Sequence, residues 1–351
     1  MRPLDFEDVE VRSPSGASLL GPVSFRVEPG TTLALCGATG AGKSLVIELA
    51  CGLRRPDAGR VRLGDREVSA IPPTRRGIGL LTQDAALYDH LGVEDNIRFG
   101  LDGPDPVRVE RAATIADCRE LLDPGRGRAA RLSGGERRRV ALAKAIAPDP
   151  ECVVLDEPLA GLDPVVRQAV RARLGAWLRV RRGIGLVSVH DFADATALAD
   201  TILVLERGTV LQLGASEALV DRPDSAAVAM RMYEPPGCRV AGRLEAGRLR
   251  VAGQHVPTDR PVPGEGPVEV FIPPYTARVS GPEDGGWRVE GVERTPGGIE
   301  LLVVPAGPEG GGRESMLRVR PEGASIPEPG QSVRLDWTAE ERFIFPGDPT
   351  G

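Results

Sequence analysis

Thr31-Thr-Leu-Ala-Leu-Cys36 runs directly into Gly37-Ala-Thr-Gly-Ala-Gly-Lys-Ser44, and this stretch decides the fold. The first half is mostly apolar, as expected of a strand buried on both faces of a parallel sheet. The second half fits a phosphate loop. Its glycines, Gly37, Gly40 and Gly42, let backbone N–H groups turn inward around a polyphosphate. Ala38, Thr39 and Ala41 complete the turn. After Gly42 the period changes to helical, with Leu45, Val46, Leu49 and Ala50 on one face. That helix would add its positive N-terminal end. Lys43 would reach the terminal phosphates, and the Ser44 hydroxyl would ligate a magnesium ion.

Working outward, residues 4–36 read as β-structure. Gly59 to Val68 reads as a small hairpin and Ile78-Gly-Leu-Leu81 as a short strand leading to Gln83. A helical period covers Val107 to Leu122, and Ser133 opens a helix running to Ala147. Val153-Val-Leu155 is a second buried strand. Pro164 suits the first position of a helix over 164–182, and Asp191 suits a cap. Ile184 to Val189 is a strand, and Ile202 to Leu213 a hairpin turning at Arg207-Gly208. Strands alternating with helices imply a mainly parallel sheet covered on both faces.

The character changes at Glu234-Pro-Pro-Gly237, read as a linker between residues 1–233 and 238–351. Beyond it lie short strand-like runs split by Gly and Pro, at Arg248 to Val251, Val268 to Ile272, Trp287 to Val289, Ile299 to Val303, Met316 to Val319 and Val333 to Trp337. They suggest a small all-β barrel, with a loop at Gly307 to Arg313.

Composition sets limits. With 44 Lys and Arg against 50 Asp and Glu, the net charge is −6, which gives no basic bias towards nucleic acid. No apolar run approaches the ~18 residues of a membrane span, so a membrane role requires another chain. The first residues carry acids and no apolar stretch, unlike a secretory signal. The five cysteines lack metal-ligand spacing and suit a reducing cytosol.

Val153-Val-Leu-Asp156-Glu157 puts two acids just past a buried strand, where open parallel sheets bind ligands. Asp156 would hold magnesium, and Glu157 would polarise an attacking water. In Leu132-Ser-Gly-Gly-Glu136, Ser133, Gly134, Gly135 and Glu136 open a helix. Read alone, Ser133 is better explained by helix capping than by anion binding.

Taken together, these residues resemble the ABC (ATP-binding cassette) ATPase family over about residues 4–230. Leu132 to Glu136 matches its signature, Gln83 resembles its Q-loop glutamine, Ala160-Gly-Leu-Asp163 its D-loop, and His190 its switch histidine. The resemblance implies an α/β P-loop NTPase with a RecA-like core, an antiparallel β subdomain and a helical subdomain. It also implies a head-to-tail homodimer that sandwiches ATP between one copy's phosphate loop and its partner's Ser133 and Gly135. Gln83 would assist catalysis and contact the magnesium ion, His190 would contact the γ-phosphate, and Asp163 would couple the two sites. The chain departs from the pattern twice. Glu136 stands where glutamine is common, and Arg12-Ser-Pro14 lacks the adenine-stacking aromatic, leaving Arg12 as a possible substitute.

The segment after Gln83 resembles that of importer ATPases, with Tyr88 and Leu91 either permease contacts or subdomain core. The C-terminal part resembles the OB-like TOBE domain on Pro267 to Pro274 and Gly330 to Trp337, with a sensing, regulatory or dimer-extending role. The implied function is that of an importer's ATPase subunit at the cytoplasmic membrane face. It would work with transmembrane permease subunits and, through them, an extracytoplasmic solute-binding protein. The alternative is a soluble ABC-type switch uncoupled from transport.

Overall fold

The computed structural model describes residues 2–123, 127–233, 237–245, 248–256, 265–274, 277–281, 286–295, 298–306, 316–321, 327–337 and 343–346. The expected linker at Glu234 to Gly237 falls largely outside these residues, and the expected loop at Gly307 to Arg313 wholly so. By contacts the chain divides into two units, Met1–Glu217 and Ala218–Gly351.

The first unit holds the strands β1 (Leu4–Arg12), β2 (Ser18–Val27), β3 (Thr32–Cys36), β4 (Ala58–Leu63), β5 (Arg66–Glu67), β6 (Ile78–Leu81), β7 (Cys152–Asp156), β8 (Ile184–Val189), β9 (Thr201–Glu206) and β10 (Thr209–Ala215). Its helices are α1 (Lys43–Cys51), α2 (Val93–Arg98), α3 (Pro106–Ile115), α4 (Gly134–Ile146), α5 (Pro164–Val180) and α6 (Phe192–Leu198), with α7 (Ser216–Asp221) at the division. A four-stranded sheet runs β2-β1-β4-β5. A six-stranded sheet runs β10-β9-β3-β8-β7-β6. In the second sheet β3, β6, β7, β8 and β9 pair in parallel, and only β10 pairs antiparallel.

The apolar runs are buried as their composition requires. Every residue of β3, β7 and β8 is buried, so these strands are covered on both faces. One hydrophobic core joins the two sheets through Phe6, Phe25, Leu33, Leu49, Val154 and Leu203. All five cysteines are buried free thiols, and burial pushes the Cys152 thiol up to about 12.

The second unit begins with helical residues. Ala226 and Ala229 of α8 (Ala226–Ala229), with Met230 and Tyr233, pack on Phe271. This packing places the division before the proline–glycine stretch. The strands are β11 (Cys238–Glu245), β12 (Arg248–Val251), β13 (Gln254–Val256), β14 (Gly266–Ile272), β15 (Ala277–Gly281), β16 (Trp287–Thr295), β17 (Gly298–Pro305), β18 (Leu317–Pro321), β19 (Ser332–Trp337) and β20 (Phe343–Pro346). β15-β18-β17-β16-β19 close a five-stranded barrel of the size expected for an OB-like domain. A separate sheet, β13-β12-β11-β14-β20, accompanies it, so the unit is a barrel plus a sheet rather than a barrel alone. That sheet depends on β14 pairing with β20, far along the chain, a contact no local pattern signals.

Candidate nucleotide site

Gly37 follows β3 with its Cα against the β9 main chain. A Cβ there would lie 2.5 Å from the Leu205 carbonyl oxygen and 2.8 Å from Ala41 Cβ. Gly42 caps α1 at φ 106°, a left-handed conformation that glycine adopts without strain. The loop is fastened from outside, since Gly208 N–H donates to the Ala41 carbonyl at 2.9 Å and Gly21 N–H to the Gly208 carbonyl at 2.8 Å. Lys43 is buried, and its Nζ donates to the carbonyls of Gly37 (2.6 Å) and Ala38 (3.2 Å).

A cleft of about 300 Å³ opens over this loop. It is lined by Leu19, residues 38–45, Gln83, Glu157 and His190. The structure thus brings Ala38, Thr39, Gly40, Ala41, Gly42, Lys43, Ser44, Gln83, Glu157 and His190 to one place, as the motifs imply.

Asp156 ends β7 and is 7% exposed. Ser188 on β8 donates to Asp156 Oδ1 at 2.5 Å. Burial dominates the Asp156 carboxyl and raises its pKa; the Ser188 hydrogen bond and the positive Arg138 and Lys43 oppose this, while Glu157 adds to it. Glu157 stands at φ 50°, a left-handed conformation costly for a non-glycine residue. Its N–H donates to Ser188 Oγ at 2.9 Å. Its Oε1 lies 2.6 Å from His190 Nε2, so the candidate base and the candidate γ-phosphate contact hold each other here.

A site for magnesium fits the residues present. Ser44, Gln83 and Asp156 offer hard oxygen donors, and Asp156 lies within electrostatic reach of Lys43. Among the described residues no group of three or more His, Cys, Asp or Glu could cage a metal alone. Such an ion would therefore rely partly on a nucleotide's phosphates, as magnesium commonly does.

Ser133, Gly134, Gly135 and Glu136 do not line this cleft. They form the start of α4 in a capping box, with Glu136 N–H donating to Ser133 Oγ (3.3 Å) and Ser133 N–H to Glu136 Oε2 (2.9 Å). The carboxylate in place of glutamine thus has a local use, and negative charge suits a helix N-terminus. Asp163 likewise caps α5, accepting from Val165 and Val166 N–H at 3.2 and 3.1 Å. Arg12 is paired with Glu10 at 2.9 Å, and the cleft presents Leu19, 41% exposed, instead.

The basic run Arg137 to Arg139 dissolves into separate contacts. Arg137 pairs with Asp89, and Arg139 with Glu120. Arg138 turns inward, 6% exposed, onto the main chain beneath the cleft. Sequence reasoning missed Arg138 and Ser188. A signal for Arg138 existed, since it shares a helical face with the buried Ala141, Leu142 and Ala145 at three-, four- and seven-residue spacing. Tyr88 is 38% exposed, its ring tilted against Phe99 (4.4 Å between centroids) under Lys144 (4.0 Å), which makes it surface rather than core.

Comparison with known proteins shows the family of the chain. A family profile described as "ABC transporter" matches residues 20–160. The sn-glycerol-3-phosphate import ATP-binding protein of Jannaschia sp. is 35% identical over 74% of this chain and 76% of its own. The Fe(3+) ions import ATP-binding protein of Streptomyces coelicolor is 35% identical over 98% and 97%. The sulfate/thiosulfate import ATP-binding protein CysA 1 of Chromobacterium violaceum is 31% identical over 95% and 94%. Among solved structures, a bacterial Atm1-family exporter with ATP bound matches at TM-score 0.57 and 27% identity, over 63% of this chain and 40% of that one. A dimeric cassette with ADP and Pi matches in fold at TM-score 0.54 and 21% identity, over 61% and 98%.

Proposed function

The chain belongs to the ATP-binding subunits of ABC transporters, and from that premise we propose that it hydrolyses ATP to drive solute import through a separate membrane permease. The observation that carries this reading is the half-built cleft. One copy supplies the phosphate loop, Glu157 and His190, while Ser133 and Gly135 stand outside. A second copy, docked head to tail, supplies its α4 N-terminus to the γ-phosphate, where the positive end of the helix dipole favours an anion.

Within one copy, Lys43 exchanges the Gly37 and Ala38 carbonyls for phosphate oxygens. Bound magnesium, held by Ser44, Gln83 and Asp156, would neutralise phosphate charge. His190 leaves Glu157 for the γ-phosphate, and the freed carboxylate takes a proton from the attacking water. Loss of the γ-phosphate removes the charge that both copies share and biases the pair towards opening. Asp163, at the start of α5, answers the opposing copy.

Among the described residues no helix is long and apolar enough to cross a membrane, so the transmembrane path belongs to the permease. The subunit works at the cytoplasmic face. The exposed Tyr88–Phe99 pair, backed by Lys144, is the proposed permease contact. An extracytoplasmic solute-binding protein would act through the permease. The relatives' names span a phosphorylated polyol, sulfate and ferric ion, so solute choice is assigned to the permease and that binding protein. ATP turnover with and without the co-purified permease tests the proposal. Stimulation by the permease is expected, and indifference to it would overturn the transport reading.

A further inference from the structure

The guanidinium of Arg138 is an unusual group to find beneath this cleft. It is buried and donates to four main-chain carbonyls: Thr82 (3.4 Å), Gln83, Asp156 (2.5 Å) and Glu157. They lie at the C-terminal ends of the neighbouring parallel strands β6 and β7, Asp156 as the last residue of β7 and the other three just beyond the strands. The planar fork of arginine suits such a span, where a lysine presents only a single point of charge. Glu157, in its strained left-handed conformation, is gripped at both ends of its peptide unit. Ser188 takes its N–H, and Arg138 donates to its carbonyl.

We infer that Arg138 is a positioning residue for hydrolysis, tying α4 to the main chain of Gln83 and Glu157 and so fixing both cleft-facing side chains at one spacing. Because the first turn of α4 carries Ser133 to Glu136, Arg138 links displacement of that helix to the main chain of Glu157. No phosphate-loop residue is among these four partners of Arg138, so the loop's own grip on phosphate is held apart from the placing of Glu157. This assignment rests on the ATPase reading above.

The test is steady-state ATP hydrolysis by the full chain carrying Arg138→Met or Arg138→Lys, with equilibrium ATP binding measured alongside. A displacement of Glu157 of about 1 Å lowers kcat on the order of 100-fold. Arg138→Met is expected to lose about 10- to 100-fold in kcat while ATP affinity measured without magnesium holds. Arg138→Lys, which reaches fewer carbonyls, falls between Met and wild type. Combined with Glu157→Gln, the losses should amount to far less than their product, because both act on one carboxylate. Should Arg138→Met fail to fold, Arg138→Lys carries the test alone. A normal kcat in the folded variants, a loss confined to ATP affinity, or fully multiplicative losses would overturn the assignment. Wild-type chain that binds ATP without hydrolysing it would instead overturn the ATPase reading beneath it.

Discussion

Replacing Ser188 by alanine removes one oxygen and disturbs both acids of the site. Ser188 is fully buried, donates to Asp156 Oδ1 at 2.5 Å and accepts from Glu157 N–H at 2.9 Å. A hydrogen bond to a charged group contributes about 1.5–3 kcal/mol, and a buried donor left unpaired costs about 1–3 kcal/mol. Allowing for relaxation around a small deletion, we expect a loss of about 2–4 kcal/mol. For a unit of this size that corresponds to a melting midpoint lowered by roughly 5–10 °C. Activity should fall further than stability alone explains. Glu157 keeps its strained φ of 50° only while its neighbours hold it, and it would lose its N–H anchor. At temperatures where the variant is fully folded, kcat should fall about 10- to 100-fold, while ATP binding measured without magnesium should hold, since neither of these hydrogen bonds reaches the phosphate loop. Thermal melting by circular dichroism and steady-state phosphate release measure the two effects. An unchanged midpoint with an unchanged kcat would refute the reasoning, for it would mean that neither hydrogen bond constrains the acids.

Two further substitutions probe the same floor. Lys43→Ala should weaken ATP binding about 10- to 100-fold, the equivalent of one charge-assisted phosphate contact, measured by nucleotide titration; unchanged affinity would contradict the phosphate-loop assignment. Asp156→Asn should abolish hydrolysis yet raise the melting midpoint at neutral pH. The folded-state pKa of Asp156 is raised by burial, so its ionisation is resisted in the fold, and stability falls as pH rises through the carboxylate range. The gain from Asp156→Asn should therefore be present at neutral pH and vanish below that range, and a constant difference across pH would contradict it.

The phosphate loop was legible because glycine conformation, the buried strand before it and the helical period after it all point one way. Gly42 at φ 106° is the position where that requirement is physical. The strands β3, β7 and β8 were equally plain, since residues covered on both faces leave an unbroken apolar run. Asp191 and Pro164 marked helix starts correctly. The helix from Pro106 stops at Ile115, short of the reading to Leu122, because a turn at Asp117 (φ 55°) breaks it and a short helical turn at Arg119–Leu121 follows.

What the sequence concealed depends on contacts between distant segments. The helical period puts Arg138 on the buried face of α4, but it does not show that the guanidinium meets the main chain at the ends of β6 and β7. Ser188 reads as one polar residue in a strand until β8 is known to lie beside β7. Leu19 reaches the cleft because β2 is fastened to the β9–β10 turn at Gly208, a contact spanning most of the unit. In the second unit, β11 keeps its alternation but has glycine, with no side chain to show it, at the inward position 242, and among the described residues β20 pairs only with the remote β14.

The central claim is that one chain holds half of a hydrolytic site and a second copy completes it. Glu157→Gln separates assembly from turnover, because it removes the group that activates water and spares every group proposed to touch phosphate. Light scattering on that variant is therefore the most direct measurement. The account predicts that ATP with magnesium moves the mass from 37.2 kDa to twice that value, and that ADP does not. A mass that stays at 37.2 kDa under saturating ATP would contradict it.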